Sequence, residues 1–222
     1  MKPTLTVFIP AYNEQGNLVN CVETLIPRIA EMQVSAEFLI INDGSKDKTG
    51  SLADELEHRY AEVRVFHHSI NQGIGAAMLT AISKARGDWL ILIPADLPLH
   101  PGELRHYIQA AQQADIVVGL RTDRSDYTIL RHIISWMNIH LIQVLFRMKL
   151  RQFQYISMYR LDILRTIKIE YWRSAFFLAE ILIKARDCGY RLQEVEIRYA
   201  PRLTGKPTGA KARLLVVTVI DI

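Results

Sequence analysis

Residues 4–14 read TLTVFIPAYNE, an apolar run from Thr4 to Pro10 that breaks abruptly into Ala11-Tyr12-Asn13-Glu14. β-Branched and aromatic residues in so short a run favour a buried strand, and from Asn17 to Met32 the apolar residues recur at helical spacing. Working outward, the same alternation repeats. Phe38–Ile41, Val63–Phe66, Trp89–Ile93 and Ile116–Val118 read as buried strands. Between them Lys48–Tyr60, Ile74–Ala85 and Pro101–Gln113 have the length and spacing of helices. Strands that alternate with helices imply a mostly parallel sheet covered on both faces. In such a sheet ligands bind beyond the carboxyl ends of the strands, so the residues that follow each strand are the first candidates for a site.

The rhythm changes after Gly119. Ile129–Leu150 reads as one long helix or two shorter ones, with Arg131, His132, His140 and Arg147 among Leu, Ile, Trp136 and Phe146. Phe153–Arg160 alternates like a strand, Ser174–Asp187 has helical spacing, and Arg191–Tyr199 alternates again. A loop holding Pro201, Gly205, Pro207 and Gly209 precedes a last helix-like segment. There is no internal repeat and no low-complexity linker, so a single domain of 222 residues is expected, 1–120 and 121–222 forming its two halves.

Composition narrows the class. Half of the residues are hydrophobic and 23% are charged, which excludes extended disorder. The two cysteines, Cys21 and Cys188, do not make a disulfide framework, and a reducing compartment is expected. Neither a secretory signal nor an apolar run near the ~18 residues of a membrane span is visible, so a soluble or peripheral chain is expected. The net charge of +4 hides an asymmetry: −5 over residues 1–120 and +9 over 121–222. A basic half suits contact with phosphates. Nucleic acid is not the expected partner, because no recognised nucleic-acid motif accompanies the charge.

Four strand ends carry the candidate chemistry. Tyr12 and Glu14 follow the first strand, placed to hold a base or ribose; Asn13 as a simple helix cap explains the same residues. Asn42-Asp43-Gly44-Ser45 follows the second, with Asp43 as an acceptor and Gly44 permitting a tight turn. Gly73 and Gly75 open the third helix, where close helix–sheet packing is the favoured reading over phosphate approach. Pro94-Ala95-Asp96 follows the fourth strand, and a carboxylate there suits a divalent cation bridging a diphosphate.

In order and spacing these segments resemble glycosyltransferase family 2, above all its branch similar to dolichol-phosphate mannose synthase. The resemblance covers nearly the whole chain: FIPAYNE, INDGSKDKT, the block from NQGIGAA to ARGDWLILIPAD, VVGLR, EILIKARDCGYRLQEVEIRYAPR and the loop at Gly205. It implies a GT-A fold, an α/β sheet of mixed but mostly parallel strands. It further implies transfer of a hexose, mannose or glucose, from GDP-mannose or UDP-glucose to a polyprenyl phosphate, with inversion. The cytoplasmic face of a membrane is the implied place, and a membrane-embedded partner protein is compatible with it.

The resemblance also assigns residues. Pro10, Tyr12, Glu14, Ile41, Asp43 and Ala95 match nucleotide-binding positions. Asp96 matches a ligand of Mg²⁺ or Mn²⁺, whereas the two other usual ligand positions hold Pro94 and Pro98. Arg121, in Gly119-Leu120-Arg121, matches the junction of donor and acceptor phosphates. Arg131 and Ser135, one helical turn apart, match receivers of the lipid phosphate. Arg202 and Gly205 match the loop that closes over the diphosphate, with Pro207 and Thr208 where Ser and Lys are usual and Lys206 or Lys211 as substitutes. From Gln152 to Met158 the usual Asp and Arg are missing. Asp96, Arg121 and Arg202 are thus the implied catalytic residues. The same departures fit a catalytically impaired relative that serves as a nucleotide-binding or regulatory partner subunit.

Overall fold

The computed structural model describes residues 3–123, 128–153 and 155–200, apart from the side chain of Arg131. Seven strands form one sheet: β1 (Leu5–Ala11), β2 (Ala36–Asp43), β3 (Val63–His68), β4 (Trp89–Leu92), β5 (Ile116–Arg121), β6 (Ser157–Arg160) and β7 (Leu192–Ile197). Their order is β3-β2-β1-β4-β6-β5-β7. β6 is antiparallel to both of its neighbours, and every other pairing is parallel. The sheet is therefore mixed and mostly parallel, as expected, and it continues through both halves of the chain.

Pleating sends alternate residues to opposite faces, which gives the sheet two cores. On one face Val7 and Ile9 meet α1 (Leu18–Glu31), α2 (Thr49–Arg59) and α4 (Leu104–Ala110). On the other, Phe8 and Leu39 meet α3 (Ile74–Lys84), α6 (Leu161–Thr166) and α7 (Phe177–Asp187). In α1 the buried residues Leu18, Cys21, Val22, Leu25 and Ile29 fall on one stripe, as the 3.6-residue period requires.

The long helix α5 (Ile129–Phe146) behaves differently. Ile142 is buried in the core, with Ile139 and Phe146 packed beside it. Ile129, Leu130, Ile133, Trp136, Met137, Val144 and Leu145 are each at least half exposed. The helix is thus fastened by one stripe and turns a second apolar stripe outward. It stops at Phe146 rather than Leu150, because Arg147 adopts the left-handed conformation, φ 51°. No helix among the described residues is long and apolar enough to cross a membrane.

Strand order fixes where a ligand fits. After β1 the chain winds through β2 and β3 to one side, then β4 returns to the other side of β1. The carboxyl ends of β1 and β4 therefore flank the point where the winding reverses, the usual crevice of an open α/β sheet.

Candidate active site

The segment after β1 is bound to the segment after β2 by reciprocal bonds. The Asn13 N–H donates to Ser45 Oγ (3.0 Å), and the Lys46 N–H returns a bond to Asn13 Oδ1 (2.8 Å). The Glu14 N–H donates to Thr49 Oγ1 (2.8 Å), whose hydroxyl in turn donates to Asp47 (2.5 Å). Asn13 sits at φ 54°, a conformation that asparagine tolerates better than most residues. Partial burial pushes the Asp47 carboxyl up, but its bonds from Thr49 and Gln15 outweigh that and hold it below the usual range. The ends of β1 and β2 thus form one rigid rim.

Asp43 is buried and largely engaged. It accepts the backbone N–H groups of Gln72 (3.0 Å) and Gly73 (2.8 Å), and His68 Nδ1 lies 2.7 Å from it. The other ring nitrogen of His68 lies 2.9 Å from Thr80 Oγ1. A carboxylate offers about four acceptor positions, so roughly one is left for a ligand. Here Asp43 anchors the segment that starts α3. His68 is a component that sequence reading missed; its signal is only a polar residue closing the apolar β3. Gly75 shows why no larger residue fits that turn, since a Cβ there would lie 1.8 Å from the Trp172 carbonyl oxygen.

Across the crevice, the Ile93 N–H donates to Phe8 O (2.9 Å), which aligns Pro94-Ala95-Asp96 with the end of β1. Cys21 reports how close the two ends come. Burial, then the negative charges of Asp96 and Glu14, push its thiol well above the ordinary value. Tyr12, Glu14, Pro10 and Asp96 are half-buried at this rim. Ile41 is wholly buried and Ala95 nearly so, their side chains in the two cores, so it is their backbone at the ends of β2 and β4 that is left to meet a nucleotide.

Arg121 ends β5, and it too is buried. Its guanidinium lies 3.4 Å from the centroid of the Tyr199 ring, and its Nε donates to the Asp123 carbonyl (2.5 Å). Its own N–H donates to Gln152 Oε1 (2.9 Å). Tyr199 and Ala200 return to the segment after β4: Leu99 bridges Tyr199, and the Ala200 N–H donates to Pro98 O (3.2 Å). The Tyr155 hydroxyl donates to the same Pro98 oxygen (2.6 Å). Tyr155, Tyr199 and Gln152 were not among the expected residues. Gly119 makes room for this node, since a Cβ there would meet the Tyr107 hydroxyl at 2.0 Å.

The acceptor candidates are only partly placed. Ser135 is half-buried on α5, whereas the Arg131 side chain, Arg202 and Gly205 lie outside the described residues.

The residues present do not fit a dedicated divalent-cation site. Beyond β4 only Asp96 brings a side-chain oxygen, and no group of three His, Cys, Asp or Glu exists among the described residues that would hold a metal ion. The expected Mg²⁺ or Mn²⁺ site is thus reduced to one carboxylate.

Comparison with known proteins bears on the family and on the fold. The profile of Glycosyl transferase family 2 matches residues 6–182. An undecaprenyl-phosphate 4-deoxy-4-formamido-L-arabinose transferase of Edwardsiella ictaluri is 28% identical over 91% of this chain and 62% of its own length. Glycosyltransferase AglD of Haloferax volcanii is 27% identical over 89% of this chain and 33% of its own. The chain thus spans less than two thirds of either relative. Among solved structures, glucosyl-3-phosphoglycerate synthase of Mycobacterium tuberculosis, in complex with Mn²⁺, UDP and phosphoglyceric acid, superposes with a TM-score of 0.73. It is 16% identical, over 99% of this chain and 78% of its own, and the likeness shows that the fold is GT-A.

Proposed function

Because this chain belongs to glycosyltransferase family 2, we propose that it transfers a sugar from a nucleoside-diphosphate donor to a polyprenyl phosphate at a membrane surface. The observation that carries the acceptor side of this reading is the outward apolar stripe of α5. Exposed aliphatic and aromatic side chains along one helix, with Arg147 and Lys149 exposed just beyond its end, match the apolar and anionic layers of a lipid interface. An open groove of about 570 Å³ runs along the helix, lined among others by His132, Ile133, Trp136, Ile139 and Arg151. Both relatives are named as transferases, and the name of one includes undecaprenyl phosphate, a polyprenyl phosphate.

In this reading the donor sits in the crevice between the ends of β1 and β4, its nucleoside against Tyr12 and Glu14. A phosphate oxygen of the acceptor attacks the anomeric carbon as the bond to the diphosphate breaks, with inversion. The nucleophile is already anionic near neutral pH, so catalysis rests on positioning and on stabilising the leaving charge rather than on a strong base. Arg121, joined through Tyr199 to the segment after β4, takes that task, with Arg202, Arg131 and Ser135 completing the phosphate contacts and Asp96 serving the donor. A hexose donor, GDP-mannose or UDP-glucose, and the cytoplasmic membrane face belong to the same proposal. Residues 1–120 serve the donor and 121–222 the acceptor.

The test is direct. Purified chain, liposomes carrying polyprenyl phosphate, and radiolabelled GDP-mannose or UDP-glucose are expected to yield labelled lipid. If no common donor yields it, the transferase reading is abandoned for a catalytically impaired relative, which the prolines at 94 and 98 favour. The membrane contact has its own test. The double variant Ile133→Glu/Trp136→Glu changes two exposed side chains and is expected to leave the melting temperature unchanged. Losing the burial of even one large apolar side chain, about 2 kcal/mol, weakens liposome co-sedimentation about 30-fold. Co-sedimentation at the wild-type level would remove α5 from the interface.

A further inference from the structure

We infer that the donor site gains little of its affinity for a nucleoside diphosphate from a divalent cation, because the protein offers that cation a single carboxylate. This rests on the proposed donor site and concerns how that site meets the diphosphate charge. A hard cation such as Mg²⁺ needs about six oxygen ligands, and proteins that hold it beside a diphosphate supply one or two carboxylates, with phosphates and water completing the shell. The loop after β4 is where such oxygens belong.

Its geometry withholds them. Pro94 and Pro98 have no side-chain oxygen, and Ala95 has none. Their backbone does not replace what is missing. The Pro94 carbonyl accepts the Leu97 N–H (2.9 Å) and has the Cys21 thiol at 3.9 Å. The Pro98 carbonyl accepts both the Tyr155 hydroxyl (2.6 Å) and the Ala200 N–H (3.2 Å), which uses both of its lone pairs. Glu14, whose charge acts on Cys21 together with that of Asp96, already accepts a bond from Asn17 Nδ2 (2.6 Å).

The loop is also held in this shape. Leu97 sits at φ 47°, between two prolines whose own φ is fixed. Turning a carbonyl toward a cation would break the Leu97 bond or detach Tyr155 and Ala200. Asp96 alone leaves a cation held by the phosphates and by water. A cation of that kind travels with the nucleotide and adds little affinity that belongs to the protein.

Isothermal titration of UDP and GDP into the whole chain, in excess EDTA and in millimolar Mn²⁺, tests this. The nucleotide that binds is expected to show dissociation constants within about threefold of each other in the two conditions. Pro94→Asp, which adds a carboxylate two residues before Asp96, is expected to bind about tenfold more tightly in Mn²⁺ and unchanged in EDTA. Wild-type binding strengthened tenfold or more by Mn²⁺, with the gain lost in Asp96→Asn, overturns the inference and leaves the donor site standing. A Pro94→Asp variant indifferent to Mn²⁺ overturns the argument from the missing oxygens. No binding of either nucleotide in any condition overturns the inference together with the donor site.

Discussion

Replacing Arg121 by lysine is expected to lower turnover about 100-fold while the protein stays folded, because a preorganised donor to developing charge is worth about 10²–10³ in rate. Lysine keeps the charge but loses what the site uses. The Arg121 guanidinium carbon sits 3.4 Å from the centre of the Tyr199 ring while its Nε donates to the Asp123 carbonyl, and a single ammonium does not reproduce both contacts. Tyr199 also lies over the buried guanidinium, so a donor phosphate that reaches Arg121 is expected to shift the ring as well. Tyr199 and Ala200 are joined to Leu99 and Pro98, so the cover is coupled to the loop that carries Asp96. Tyr199→Phe keeps the ring and is expected to retain wild-type turnover. Initial-rate kinetics with lipid acceptor, beside a thermal melt of each variant, measures this. An Arg121→Lys enzyme within threefold of wild type would make the stack a structural contact and return the charge-stabilising role to other cations.

The fold was legible where burial writes itself into the sequence. β1, β2, β4 and β5 are apolar runs because both faces of a covered sheet are dry, the edge strand β3 is drier at its start than at its end, and the ends of all five fall within a few residues of the expected ones. The second half was harder. Phe153–Arg160 alternates throughout, yet only Ser157–Arg160 forms a strand, while Phe153 is buried outside it and Ile156 reaches β5 by a single bond from the Gly119 N–H (2.9 Å). α6 escaped notice because six residues directly after a strand carry no periodic signal of their own. In α5 the apolar content was plain, but which stripe faces the core depends on what packs against it. The site divides in the same way. Tyr12, Glu14, Asp43 and Asp96 stand out because turn residues interrupt apolar strands, whereas His68 beneath Asp43, Tyr199 over Arg121 and Tyr155 on Pro98 are products of tertiary pairing. Resemblance alone assigned Ile41 and Ala95 to a ligand. The packing that puts their side chains into the two cores is a property of the folded sheet.

The second large effect is expected at Gly44, where alanine should lower the melting temperature by about 9 °C. Two costs add there. Gly44 lies at φ +66°, where a residue with a Cβ loses about 1–2 kcal/mol. That Cβ would also stand 2.4 Å from the Ile70 carbonyl carbon and 2.5 Å from the Asn71 nitrogen, an overlap with backbone of the kind that costs about 1–3 kcal/mol. A total of about 3 kcal/mol, at about 2–4 °C per kcal/mol for a chain of this size, gives the expected shift. Gly102→Ala is the control, since a Cβ there would meet nothing within 4 Å and a change within about 0.5 kcal/mol is expected. The consequence for function follows from what Ile70 and Asn71 lead into. The next two residues, Gln72 and Gly73, give Asp43 its backbone bonds, so a displaced loop loosens the carboxylate at the crevice. Nucleotide affinity should therefore fall with stability in Gly44→Ala and stay level in Gly102→Ala. If Gly44→Ala melts near wild type but binds nucleotide poorly, the loop has yielded without loss to the core, and the coupling between turn and crevice stands by itself. If it melts low yet binds normally, the Asp43 anchor serves the fold alone, and the nucleotide is held from the β1 and β4 ends of the crevice.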